Sequence, residues 1–287
     1  MALYLQEFRF PDKDAEWRFF TAQRMTCYDS FYPFQVLSDR GLGRLEFAPV
    51  TILYGGNGCG KTTALNIMAE KLGLARDAAF NRTAFFPDYL RLCDDGGAAP
   101  PEGSRIITSD DVFAWMLDLR ALDDGIDPPP EEVFAEYADA RYAHFQLHSL
   151  EDYERLKQVN AARSKTKSRY ARSRLMGNAR TRSNGESAYL YFTQKITENA
   201  LYLLDEPENS LAPARQLELA GFLQDAARFF GCQLVIATHS PFLLAMQGAK
   251  VYDLDADPPR PRRWTELENV RAYRQFFADH AAEFETD

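Results

Sequence analysis

Short runs of consecutive apolar residues alternate along the chain with longer segments that place apolar residues at helical spacing. The runs lie at 50–54, 201–204 and 233–237, and helical spacing follows at 63–70 and 213–230. A strand that is apolar on both faces is typical of a parallel sheet covered by helices. The pattern therefore predicts an α/β fold built on a mainly parallel core sheet.

Weaker strand patterns precede and follow this core. Leu3–Phe10, Phe34–Leu37 and Arg44–Phe47 are short strand-like segments, and a turn rich in Ser, Asp and Gly separates the last two. They predict an N-terminal antiparallel β-layer. A final strand is predicted near Lys250–Leu254.

The last helical pattern predicts a C-terminal helix. Thr265 and Glu268 have the spacing of a capping box at its start. Leu267, Val270, Tyr273 and Phe277 recur at helical spacing, so we expect them to form its buried stripe.

Residues 77–180 separate the first core strand from the next ones. Clusters of Gly and Pro punctuate this segment, and helical patterns occur near Asp110–Leu122, Glu131–Gln146 and Leu150–Met176. We expect a single domain over residues 1–287, with a mostly helical insertion at about 77–180.

Composition narrows the class of protein. Apolar residues make up 46% of the chain, and no run of them approaches the roughly 18 residues of a membrane span. The N-terminus lacks the basic and apolar regions of a secretion signal. The four cysteines form no C-x-x-C pair, which indicates neither a zinc site nor a disulfide framework. We therefore expect a cytoplasmic protein without membrane insertion.

Charge is distributed unevenly. The net charge is −9, yet Arg155–Arg182 contains ten Lys and Arg residues and no acid, so the rest of the chain carries −19. This segment is a candidate contact for nucleic acid. A solvated helix face, or contact with ATP phosphates or an acidic partner protein, are the alternatives.

A complete G-x-x-x-x-G-K-[ST] phosphate loop lies between the strand at 50–54 and the helix at 63–70. Its glycines let backbone N–H groups turn toward phosphates, and the helix N-terminus adds partial positive charge. Lys61 is placed to reach the β- and γ-phosphates, and the Thr62 hydroxyl to bind Mg²⁺. The candidate nucleotide contacts are Gly55, Asn57, Gly58, Cys59, Gly60, Lys61, Thr62 and Thr63.

Two carboxylates follow the strand at 201–204, at the sheet edge where α/β proteins bind ligands. Asp205 is the candidate second ligand of Mg²⁺, and Glu206 the candidate group that orients or deprotonates the attacking water. An acidic loop after a core strand is the alternative. His239 follows the strand at 233–237 and would lie near the γ-phosphate, although a lone histidine is more often structural.

A small polar loop, Ser183–Glu186, precedes a predicted helix at Glu186–Thr197. Such a loop at a helix N-terminus can bind an anion. An ordinary N-cap is the alternative.

In this order the motifs resemble those of ATP-binding-cassette ATPases. The phosphate loop matches Walker A, and Leu201–Glu206 match Walker B with the catalytic glutamate. Ser183–Glu186 resemble the signature motif, with Asn184 where transporters usually carry glycine. Glu208–Pro213 resemble the D-loop, and His239 resembles the switch histidine.

The stretches at 205–211 and 237–241 look more like the soluble branch of that superfamily than the transporter branch. That branch includes chromosome-maintenance and repair ATPases and small bacterial stand-alone "AAA family" ATPases, some of them in phage defence. The resemblance implies ATP and Mg²⁺ as cofactors and a P-loop fold of this type.

The resemblance also implies a head-to-tail homodimer that forms on ATP binding. Ser183 and Gly185 would contact the nucleotide of the opposite chain, and Asn209 and Ser210 would cross the interface. Lys61 and His239 would stabilise the transition state with Mg²⁺ and the loop amides.

The implied function is an ATP-driven switch or motor in a DNA-related or defence process. An ATP-gated module that controls a separate effector protein is the alternative. A transporter's nucleotide-binding subunit is less favoured, because the long insertion and the Asp205–Ser210 stretch fit it poorly.

Overall fold

The computed structural model of the chain describes residues 3–22, 30–124 and 184–284. The strands are β1 (Glu7–Arg9), β2 (Arg44–Glu46), β3 (Val50–Tyr54), β4 (Arg105–Thr108), β5 (Leu201–Asp205), β6 (Gln233–Ala237), β7 (Lys250–Asp253) and β8 (Arg260–Pro261). The α-helices are α1 (Lys13–Ala22), α2 (Lys61–Lys71), α3 (Phe86–Leu92), α4 (Ser109–Asp124), α5 (Asn184–Lys195), α6 (Pro213–Phe229), α7 (Pro241–Leu244) and α8 (Glu268–Asp279). Within these ranges, no helix is long and apolar enough to cross a membrane.

The chain divides into two compact units. One comprises Met1–Thr108 with Phe192–Asp287, and the other comprises Ser109–Tyr191. In the second unit, Val112 and Met116 on α4 and Ala188 on α5 are buried. The rings of Trp115 and Tyr191 meet edge to face, with centroids 5.4 Å apart.

A six-stranded sheet forms the centre of the first unit, in the order β4-β5-β6-β3-β7-β8. Neighbouring strands from β4 to β7 are parallel, and only the short β8 pairs antiparallel with β7. Every residue of β3, β5 and β6 is buried, as the continuous apolar runs predict. The α/β class with a mainly parallel core sheet is confirmed.

A separate two-stranded antiparallel sheet, β1 with β2, forms the N-terminal β-layer. The chain just before it is tied to the core by the fully buried side chain of Gln233. Its Oε1 accepts hydrogen bonds from the backbone N–H groups of Tyr4 and Leu5 at 2.7 and 2.8 Å, and its Nε2 donates to the Leu5 carbonyl at 2.7 Å. These bonds satisfy backbone groups that no strand pairs.

Two strand predictions in the N-terminal half are wrong. The segment Leu3–Phe10 contains only the three-residue β1. Phe34–Leu37 is not a strand but part of a succession of turns, in which Gln35 adopts a left-handed φ of 68°. Its apolar residues are buried by packing on neighbouring aromatic rings: Phe34 stacks on Phe19 with centroids 4.5 Å apart.

The segment expected to be mostly helical from residue 77 also contains a core strand. Ile106 and Ile107 on β4 are buried, and β4 pairs with β5. The predicted helix at Asp110–Leu122 is present as α4, whereas the patterns at Glu131–Gln146 and Leu150–Met176 lie outside the described residues. The single-domain organisation stays a prediction.

The start of the C-terminal helix differs from the prediction. Thr265 lies in a 3₁₀ turn, Trp264–Glu266, and Leu267 is the N-cap of α8 with no side-chain cap hydrogen bond. Leu267 and Val270 are buried as expected, but Tyr273 and Phe277 are about half exposed, at 50% and 54%. The predicted capping box is therefore wrong, and so is the prediction that Tyr273 and Phe277 are buried.

Candidate nucleotide-binding site

The ends of three adjacent parallel strands bring the candidate site together. In the register of the sheet, Leu53 on β3 and Asp205 on β5 both lie opposite Ala237 on β6. The phosphate loop leaves β3 one residue later, Glu206 follows Asp205, and His239 follows Ala237 by two residues. Parallel pairing therefore places all three motifs at one edge of the sheet.

The phosphate loop has the tight shape that its glycines allow. Gly58 and Gly60 adopt positive φ values of 80° and 98°, which side chains rarely tolerate. At Gly60 space is also short, because an added Cβ would lie 2.7 Å from Cδ2 of Leu37. The turns at 32–41 thus pack directly against the loop.

Lys61 opens α2 as a buried cation, with 5% of its surface exposed. Its Nζ donates to the carbonyl oxygens of Gly55 and Gly56 at 2.7 and 3.2 Å, and it lies 2.8 Å from Nε2 of His239. Within the described ranges no carboxylate forms an ion pair with it. A buried cation held by neutral groups favours the arrival of an anion.

Thr62 and Asp205 are in direct contact. The Thr62 hydroxyl donates to Oδ1 of Asp205 at 3.1 Å. Burial is the main cause that raises the pKa of Asp205 to about 7; the hydrogen bond from Thr62 and the charge of Lys61 oppose the shift, and the carboxylates of Glu206 and Glu208 add to it. A hydroxyl and a carboxylate are the oxygen ligands that Mg²⁺ takes in proteins, and a cation there would compensate the buried charge. The pair fits the predicted magnesium site.

Glu206 lies beside His239, with its Oε1 3.4 Å from Nε2 of the imidazole. Its Oε2 accepts a hydrogen bond from Nδ2 of Asn209 at 2.9 Å. The contact with His239 lowers the pKa of Glu206 to about 2, assisted by Asn209 and Lys61 and opposed by burial. Glu206 is therefore an anion at neutral pH, held in place with a left-handed φ of 49°.

The other residues predicted to contact the nucleotide include buried, exposed and undescribed positions. Thr63 is buried and its hydroxyl accepts from the Tyr32 hydroxyl at 3.3 Å, whereas Asn57 is exposed at the loop tip. Cys59 is buried, and burial raises the pKa of its thiol. Gly185 lies in α5, and Ser183 lies outside the described residues.

Residues that the sequence reasoning missed brace the loop. Asp255 accepts a hydrogen bond from the Gly56 N–H at 2.6 Å, and Arg40 donates to the Gly58 carbonyl at 3.3 Å. Arg40 and Asp255 also approach each other to 3.9 Å. Asp255 follows β7 as Asp205 ends β5, so the rule that polar residues collect at the carboxyl ends of strands could have found it.

Comparison with known proteins gives one family match. The family described as "AAA domain, putative AbiEii toxin, Type IV TA system" matches residues 124–245. This stretch includes Asp205, Glu206 and His239 but not the phosphate loop. No curated protein matches the chain at a significant level.

Two solved structures are similar to the chain at low identity. The ATP-binding cassette MJ0796, in a dimeric post-hydrolysis state bound to ADP and Pi, is 13% identical over 78% of this chain and 90% of that chain, with a TM-score of 0.37. An Smc head domain bound to the C-terminal domain of ScpA, from Pyrococcus furiosus, is 14% identical over 83% and 95%, with a TM-score of 0.38.

At these TM-scores the two structures carry no weight for this chain. The assignment rests on its own phosphate loop, its parallel sheet and the family match. Together these make the chain similar to P-loop ATPases of the ATP-binding-cassette type.

Proposed function

We propose that the chain binds Mg-ATP, hydrolyses it, and uses the bound ATP to hold two copies in a head-to-tail dimer. The observation that carries this proposal is the meeting of Lys61, Glu206 and His239. The imidazole lies 2.8 Å from the cation and 3.4 Å from the carboxylate. A cation, a base and a donor at the end of a phosphate loop match the needs of phosphoryl transfer.

Binding is assigned to the phosphate loop and the start of α2. Backbone N–H groups from Asn57 to Thr63 hold the phosphates, and Lys61 exchanges its carbonyl contacts for phosphate oxygens. Thr62 and Asp205 would hold Mg²⁺, and the ion would supply positive charge against the charge that develops on the phosphates.

The hydrolytic step is assigned to Glu206 and His239. Glu206 is ionised at neutral pH, so it can accept a hydrogen bond from water and orient it for attack. Nε2 of His239 accepts from the Lys61 ammonium in the contact at 2.8 Å. Once Lys61 turns to the phosphates, Nε2 would be free to carry a proton and donate a hydrogen bond to an oxygen that gains charge. Lys61 remains beside both groups and stabilises the same charge.

The dimer is proposed from the resemblance. Ser183 and Gly185 would contact the nucleotide bound by the opposite chain, and Asn209 and Ser210 would lie at the interface. Asn209 already contacts Glu206, which would link the interface to the hydrolytic step. Loss of the γ-phosphate then weakens the dimer, so hydrolysis resets the switch.

Replacing Glu206 by Gln tests the hydrolytic role. We expect Glu206→Gln to bind a fluorescent ATP analogue with the affinity of the wild type, while ATP turnover falls by about 100-fold or more. Lys61→Ala is the contrasting variant, because it should lose nucleotide affinity. Full turnover in Glu206→Gln would remove Glu206 from the mechanism.

The process that the switch serves is proposed from two observations. The description of the matched family, "putative AbiEii toxin, Type IV TA system", favours a defence process in which the ATP state is coupled to another protein of the system. The basic segment Arg155–Arg182, outside the described residues, favours contact with nucleic acid. Steeply salt-dependent binding of the purified chain to DNA would support the second; co-purification with a neighbouring gene's product would support the first.

A further inference from the structure

The carboxylate of Glu208 accepts hydrogen bonds from the loop that carries His239, residues 238–240. Oε1 of Glu208 accepts a hydrogen bond from the Thr238 hydroxyl at 2.6 Å. The same oxygen accepts from the backbone N–H groups of His239 at 2.7 Å and Ser240 at 3.2 Å. Three consecutive residues therefore converge on a single acceptor atom.

The Glu208 carboxylate is buried, and its burial costs hydration free energy. Oε2 of Glu208 has no solvent contact and no hydrogen-bond partner among the described residues. A carboxylate that keeps one oxygen unsatisfied loses hydration free energy, so the three bonds to the other oxygen must offset that loss. Such an arrangement holds the loop in one position.

A cleft of about 760 Å³ borders the loop, and it is lined by Glu208, His239, Ser240 and Tyr273 among others. From α8 itself, the Asn269 side chain donates to the His239 carbonyl at 3.0 Å. Beside this cleft, the hydrogen bonds accepted by Glu208 and the one donated by Asn269 hold the loop in position.

We propose that Glu208 is a positioning residue that sets the place of the His239 imidazole between Lys61 and Glu206. It lies two residues after Glu206 in the chain, so one segment supplies both the water-orienting group and the support of its partner. This inference rests on the proposed function for its kinetic consequence. Its structural consequence, a displaced imidazole, does not depend on ATP hydrolysis.

The kinetic test compares Glu208→Gln with His239→Ala and with the double variant. Glu208 contacts the loop of His239 but none of the groups assigned to hold the phosphates or Mg²⁺. Glu208→Gln should therefore lower kcat about tenfold or more and leave KM for Mg-ATP within about twofold. The double variant should turn over no more slowly than His239→Ala alone, because both changes remove the same contribution. Glu218→Gln, at an exposed glutamate of α6, is the matched control and should keep wild-type turnover.

The structural test uses NMR on nucleotide-free protein labelled with ¹⁵N-histidine. The chain has only four histidines, and His239→Ala assigns the resonance of interest. We expect the His239 imidazole signals to shift in Glu208→Gln and to remain unchanged in Glu218→Gln. Unchanged His239 signals in folded Glu208→Gln would overturn the inference, as would additive losses of kcat in the double variant.

The two tests separate the inference from the proposed function. Shifted His239 signals in a protein without ATP turnover would reject the hydrolytic role and keep the positioning role. Normal wild-type turnover with unchanged signals in Glu208→Gln would keep the hydrolytic role and reject the positioning role.

Discussion

At the scale of single residues, the site depends on placing charges in a buried environment. Burial raises the pKa of Asp205 to about 7. The pKa of Glu206, the next residue, is lowered to about 2 by the His239 imidazole beside it. The two adjacent carboxylates therefore have opposite pKa shifts: Asp205 would be charged most readily with a cation beside it, and Glu206 stays charged and able to accept hydrogen bonds. The two residues are neighbours at the end of one strand, so the difference between their pKa values arises from what surrounds each side chain: burial for Asp205 and the His239 imidazole for Glu206.

The shape of the phosphate loop gives a prediction for Gly60. In Gly60→Ala, the positive φ costs about 1–2 kcal/mol of stability. The added Cβ would also lie 2.7 Å from the Leu37 side chain, which must move. Gly73→Ala is the matched control, since Gly73 has a φ of 64° and no atom within 4 Å of its added Cβ. We expect Gly60→Ala to lower the urea midpoint more than Gly73→Ala, and to weaken binding of an ATP analogue. Equal behaviour of the two variants would show that Leu37 does not constrain the loop.

At the scale of elements, α1 is fastened to the turns that support the phosphate loop. Glu16 on α1 is buried, and its Oε2 accepts hydrogen bonds from the Gln35 N–H at 2.9 Å and the Ser38 hydroxyl at 2.8 Å. Burial raises the pKa of Glu16 despite these bonds, and Asp39 and Asp12 raise it further. The folded state therefore holds a proton on Glu16 at a pH where the unfolded chain has lost it.

This shift predicts how stability depends on pH. When a carboxyl has a higher pKa in the folded state than in the unfolded chain, the folded protein loses stability as pH rises from the ordinary pKa toward the folded-state pKa. The loss is about 1.4 kcal/mol in the free energy of unfolding for each unit of the shift. Relative to wild type, Glu16→Gln should therefore gain stability as pH rises from about 4.5, the ordinary value, through the raised pKa of Glu16. Urea unfolding at several pH values measures the difference, with Glu218→Gln as an exposed control. A constant difference across this range would contradict the assignment.

Elements with a strong local pattern could be predicted from the sequence, and those defined by distant partners could not. The run at 233–237 matches β6 residue for residue, because an uninterrupted apolar strand has few alternatives. β4 was missed because it offers only Ile106 and Ile107, and its partner β5 lies about a hundred residues away. Phe34–Leu37 was assigned wrongly because its burial comes from aromatic packing and not from strand pairing.

The candidate site was predictable to the same extent. That Lys61, Asp205, Glu206 and His239 lie close together could be predicted because each belongs to a motif at a strand end, where topology brings motifs together. Their roles stay predictions. The bracing contacts of Asp255 and Arg40, and the three bonds accepted by Glu208, were not found, because no local pattern marks which carboxylate will turn toward which backbone N–H.

At the scale of the whole molecule, the proposed dimer needs two chains to complete each pair of sites. Ser183→Arg places a large cation where the opposite nucleotide is expected, so it should spare ATP binding and abolish dimerisation. Sedimentation in a Glu206→Gln background with Mg-ATP measures this. Gln247→Arg, at an exposed position after α7, adds the same charge elsewhere and should leave the dimer intact. A dimer in the Ser183→Arg variant would reject the assigned role of the signature loop.

The most direct test of the central claim is the mass of Glu206→Gln in solution, measured by size-exclusion chromatography with light scattering. Without nucleotide we expect the mass of one 32.7 kDa chain, and with Mg-ATP twice that mass. Reversal on removal of ATP would show that the nucleotide holds the dimer together. An unchanged mass, in a variant shown separately to bind ATP, would contradict the head-to-tail dimer and the switch built on it.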